Sequence, residues 1–61
     1  RTMGKPQTVL VVDDDPGKRY VLSRVITRGG LDVIEAENGT RGLTLAAQDR
    51  PDLVLPPAWY M

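Results

Sequence analysis

Sixty-one residues allow one domain at most, and a chain of that size buries only about 60% of the surface its unfolded form exposes, so its stability margin is thin. The sequence has no cysteine and no histidine, which excludes disulfides, His-metal sites, imidazole general bases and Cys-based redox or zinc chemistry from within it. Eight basic and eight acidic side chains balance, arguing against a nucleic-acid or membrane surface as the main partner. No apolar run approaches the roughly 18 to 20 residues of a membrane span and no signal-peptide pattern precedes the first apolar segment, so a soluble cytoplasmic protein is expected.

Residues 1–7 are polar, with Gly4 and Pro6, and read as a disordered lead or an expression remnant outside the core. Thr8 to Val12 follows as a short β-branched run, suited to a strand covered on both faces, as in a parallel sheet. It runs straight into Asp13-Asp14-Asp15. Three adjacent carboxylates repel one another unless water, a cation or the following helix compensates them. Asp15 suits a helix N-cap, with Pro16 at the first helical position, where its missing N–H costs nothing. The helix is expected from Pro16 to Arg28, burying a stripe of Val21, Leu22, Val25 and Ile26 and leaving Lys18, Arg19, Ser23, Arg24 and Arg28 mainly to solvent. Gly29-Gly30 supplies the left-handed stop.

Leu31 to Ala36 forms a second strand whose Asp32 and Glu35 suit a sheet edge. Asn38-Gly39 opens a second helix, with Leu43, Ala46 and Ala47 as its buried side and Gly42 weakening it by roughly 1 kcal/mol relative to Ala. Gln48 to Pro51 ends it, and Asp52 to Leu55 makes a third strand, stopped by Pro56-Pro57. The remaining Ala58-Trp59-Tyr60-Met61 is apolar without a regular pattern, so residues 56–61 form a Pro-rich apolar tail to an 8–55 domain.

Strand, helix, strand, helix, strand with short links is an α/β pattern, and right-handed crossovers make the sheet parallel. With the polar second strand at the edge, the order is 2-1-3 and the helices fall on opposite faces. The chain reverses direction between strands 1 and 3, beside Asp13 and Asp14, and such switch points are where open α/β sheets place ligands.

Several stretches together resemble the receiver domains of two-component response regulators. They are Val-Leu-Val-Val-Asp-Asp-Asp-Pro at 9–16, Arg19 and Ser23-Arg24, Gly30-Leu31-Asp32-Val33 leading to Glu35-Ala36, Asn38-Gly39, and Arg50-Pro51-Asp52-Leu53-Val54-Leu55. The resemblance spans Thr8 to Leu55 and corresponds to about the first half of such a domain, which in the family continues through two more strands and three more helices. It implies a truncated flavodoxin-like fold and assigns Asp13 and Asp14 as the acidic pair that holds Mg2+, with Asp14 the more direct ligand. The family's phosphoacceptor aspartate follows the third strand after one further apolar residue; here that count puts Pro56 at the apolar position and Pro57 at the acceptor. Proline offers no carboxylate. Asp52 starts the same strand, some five residues and roughly 15 Å away, at the other end of the sheet. The resemblance therefore implies a weak metal pair without phosphotransfer.

Blander and competing readings stand beside this one. The aspartate run also suits a solvated loop with one capping residue, and the basic helix side suits a solvated face. Asp13-x-Asp15 after an apolar strand is similar to the haloacid dehalogenase-like phosphatases, but Pro16-Gly17 replaces their usual Gly-Thr or Gly-Val and their later acidic and lysine motifs are missing. A module that acts by pairing, with itself or with another signalling protein, is the further class. Leu53, Val54 and Leu55 would form an apolar strand edge, with Trp59 and Tyr60 beside it, joining two copies in a homodimer.

Overall fold

In the computed structural model, which describes residues 7–56, β1 (Thr8–Val12) is the middle strand of a three-stranded parallel sheet. β2 (Asp32–Ala36) and β3 (Leu53–Leu55) flank it in the order 2-1-3. Along β2 the register runs from Thr8 opposite Asp32 to Val12 opposite Ala36, and along β3 from Val9 opposite Leu53 to Val11 opposite Leu55. This is an open α/β sheet consistent with a truncated flavodoxin-like fold.

β1 fills the centre because nothing in it needs water. Leu10 and Val11 are fully buried, and Val9 and Val12 are nearly so. Fully burying such a side chain contributes about 1.5–3 kcal/mol. Side chains alternate along a strand, so the two faces separate cleanly. Leu10, Val12, Ile34 and Ala36 pack with Leu45 and Ala46 of α2 (Gly39–Asp49). Val9, Val11, Val33 and Glu35 belong to the other face, where Glu35 meets Arg19 of α1 (Pro16–Arg28). The helices thus lie on opposite faces, as the order requires.

Local chemistry sets the helix ends. Asp15 is extended, and its Oδ1 accepts from the backbone N–H of Gly17 at 2.9 Å and of Lys18 at 3.4 Å, with Pro16 opening α1. Gly30 takes φ 88° just beyond the C-terminus of α1, a conformation glycine adopts without a Cβ penalty. Asn38 caps α2 by accepting from Arg41 N–H at 2.7 Å. Arg50 closes α2 in the left-handed region at φ 47°.

Four expectations need correction. β2 and β3 each begin one residue late: Leu31 N–H turns back to the Ile26 carbonyl, and Asp52, whose N–H donates to the Thr8 carbonyl, returns the contact to Thr8 N–H through its carboxylate at 2.8 Å rather than through its own carbonyl. The α1 stripe is not buried: Val21 is 58% and Val25 63% exposed, Leu22 is also exposed, and only Ile26 is partly covered. α1 is instead held over β1 and β2 by the side that carries Arg19 and Ser23. Arg19 is therefore engaged, and Ser23 is buried, where both were assigned to solvent. On α2 the buried side is Gly42, Leu45 and Ala46; Leu43 and Ala47 are exposed. The glycine sets that register, since a Cβ on Gly42 would lie 2.8 Å from Val12 Cγ2.

Gly42 is thus a contact point of the fold. Gly42→Ala gains about 1 kcal/mol of helix propensity, but the added methyl must displace a buried valine, at a cost of about 1–3 kcal/mol. The expected net result is a lower urea midpoint; an unchanged or higher midpoint would show that α2 does not approach Val12 through this residue.

Candidate functional site

The three aspartates after β1 occupy one turn, yet each has a different environment. Asp13 continues the strand by one residue: its N–H donates to the Ala36 carbonyl at 3.1 Å. The residue is only 7% exposed, and its Oδ1 accepts from Asp15 N–H at 3.0 Å. Its carbonyl accepts from Arg19 Nη1 at 2.7 Å. Asp14 points to solvent and makes no side-chain hydrogen bond with another described residue. Asp15 is committed to the α1 cap. Mutual repulsion is limited because the run splits into one carboxylate turned in, one turned out and one bonded to a helix N-terminus, where negative charge is favoured.

This division decides what the edge can hold. Among the described residues no cluster of three or more carboxylates converges on a common point. Asp13 Oδ2 has no hydrogen bond among the described residues, and it is not one of their sealed, unpartnered polar atoms; that description fits only Ser23 Oγ. An open donor set of Asp13 and Asp14 suits a hard cation that keeps most of its waters, as Mg2+ does when bound by one or two carboxylates. Asp13 and Asp14 therefore stand next to one another at the carboxyl end of the central strand, one buried and one exposed, while the Asp15 carboxylate is committed to the α1 cap. The same capping disfavours the phosphatase reading, which needs Asp13 and Asp15 both free to act.

Asp52 lies at the other end of the sheet, bonded to Thr8 N–H. On β3, Leu53 is 53% and Val54 44% exposed, and β1 is the strand's one neighbour among the described residues. Leu55 is partly buried. Pro57, Trp59 and Tyr60 lie outside the described residues.

Arg19 is the residue of this edge that sequence reasoning missed. Besides the Asp13 carbonyl it reaches Glu35, with Nε 3.1 Å from Oε1. Two signals pointed to it: its position one turn after the capping Asp15, and the alternation along β2 that puts Glu35 on the α1 face. Helical periodicity alone assigned it to solvent.

No family model matches the chain, but curated relatives do. It is 45% identical to Protein PilH of Pseudomonas aeruginosa over 47 residues, covering 77% of this chain and 39% of that protein. It is 39% identical to Sporulation initiation phosphotransferase F of Bacillus subtilis over 49 residues, 80% of this chain and 40% of that protein. It is 43% identical to DNA-binding response regulator MtrA of Mycolicibacterium smegmatis over 49 residues, 80% of this chain and 22% of that protein. The matched stretch spans no more than 40% of the length of these relatives. The family that this chain resembles, in sequence and in strand order, is the response-regulator receiver domain.

Proposed function

We propose that the chain is a receiver-like module of a two-component phosphorelay that accepts no phosphoryl group and acts by association, with cytoplasmic placement. One observation carries the proposal. β1 and β3 are parallel with Val11 opposite Leu55, so their carboxyl ends share one edge, and two positions beyond Leu55 the sequence has Pro57. Counted along the resembled family, the acceptor position falls on this proline, which offers no carboxylate, and Asp52 is committed at the opposite end. Among the described residues no helix is long and apolar enough to cross a membrane.

Asp13 and Asp14 are the residues that would hold Mg2+. Such a cation supplies positive charge against a phosphoryl group's oxygens. On this chain it binds weakly, through two carboxylates and water. Titration followed at the amides of Asp13 to Gly17 should shift them only at millimolar Mg2+, and adding beryllofluoride or acetyl phosphate should give no further shift and no mass increase. Saturation at micromolar metal, or stable phosphorylation of Asp13 or Asp14, would contradict the proposal.

The association arm rests on β3. Its exposed Leu53 and Val54 line a strand edge, and an apolar edge is a template for another strand. A second copy across a two-fold axis would pair the two third strands antiparallel and continue the sheet, with Leu55 in the same ladder. A net charge of zero leaves no overall repulsion between copies. Val54→Lys should shift the sedimenting species from dimer to monomer and lower stability with it. A wild-type chain that sediments as a folded monomer at micromolar concentration would rule the pairing out.

A further inference from the structure

We infer that Arg19 is the positioning residue of the acidic edge: its guanidinium locks the peptide that joins Asp13 to Asp14, and so sets how the two carboxylates are presented together. The inference deepens the metal reading above and rests on it for its cation-binding part only.

The Asp13 carbonyl belongs to the planar peptide that carries the chain into Asp14, so fixing that oxygen fixes the direction in which Asp14 leaves the strand. Arg19 Nη1 donates to it at 2.7 Å, a short, charge-assisted bond. The same guanidinium is anchored by Nε to Glu35 Oε1 at 3.1 Å, and the Arg19 side chain is only 20% exposed. Glu35 in turn is held opposite Val11 by the β1–β2 register. Asp13 is therefore gripped from three sides, and Arg19 supplies the one of these contacts that falls on the peptide leading into Asp14. β2 takes its N–H through the Ala36 carbonyl, α1 reaches its carbonyl through Arg19, and the turn itself supplies Asp15 N–H to its carboxylate. If the carbonyl is released, the peptide can rotate, which swings Asp14 and loosens the Asp15 contact.

A planar, forked cation is what this junction requires. Arginine presents donors in a fixed geometry and satisfies two acceptors on different elements, whereas lysine offers a single flexible point charge. The ion pair with half-exposed Glu35 is by itself a weak stabiliser. Its role here is to aim the guanidinium.

Positioning and simple charge balance predict opposite signs. Removing a positive charge beside two aspartates strengthens cation binding by electrostatics alone; removing a residue that orients them weakens it. The experiment compares wild type, Arg19→Met and Arg19→Lys by amide exchange without metal and by Mg2+ titration. Exchange at Asp13 and Asp15, relative to Leu10, should be at least about tenfold faster in both variants, and the Mg2+ midpoint should rise several-fold even in Arg19→Met. Unchanged protection at Asp13 and Asp15, or tighter Mg2+ binding in Arg19→Met, would overturn the assignment. Should Arg19→Met fail to fold, Arg19→Lys, which keeps the charge, decides alone. If wild type shows no Mg2+ response, the metal reading fails, while the exchange comparison still decides whether Arg19 positions the turn.

Discussion

Burial of β1 on both faces and pairing along both of its edges is the constraint on which the rest of the chain depends. Leu10 and Val11 are sealed from solvent at the centre of the sheet. The two helices exist in place because each covers one face of this strand. The apolar side of α1 contributes little, for most of it remains in solvent, while α2 packs on the sheet through Leu45 and Ala46 and leaves Leu43 exposed. Helix stability is therefore borrowed from caps and from a few contacts to the sheet, as expected when isolated helices of this length are marginal in water.

The same constraint places the acidic turn. Asp13 continues the buried strand and inherits its ladder to Ala36, which draws one carboxylate inward while Asp14 is left outside. Asp15 then starts α1, so a short sequence of identical residues yields three distinct environments. The edge follows that division: one carboxylate buried, one exposed, and a third consumed by the backbone of a helix.

Much of this was legible in the sequence. The unbroken Val9 to Val12 run marked a doubly covered strand, Asp15-Pro16 and Asn38-Gly39 marked helix starts, Gly30 marked a left-handed stop, and the polar Asp32 and Glu35 marked the edge strand. These signals are local, and each has one dominant physical cause. What was not legible depends on which surfaces meet in three dimensions. Periodicity showed that α1 has an apolar side, but it does not reveal whether a partner surface lies opposite, and the Arg19 anchor turned that side outward. Gly42 reads locally as a weak helix residue; only the proximity of Val12 reveals it as the place where α2 touches the sheet. Arg19 itself joins groups six and sixteen residues away, beyond any helical or strand repeat.

β1 as the shared middle strand positions every other element, so cross-strand contacts are the most direct test. In a uniformly labelled sample, NOEs from Val9, Leu10 and Val11 should reach both Val33–Glu35 and Leu53–Leu55, in parallel register on each side. Contacts to β2 alone, or an antiparallel pattern with β3, would contradict the 2-1-3 sheet and with it the placement of Asp13 at a shared edge.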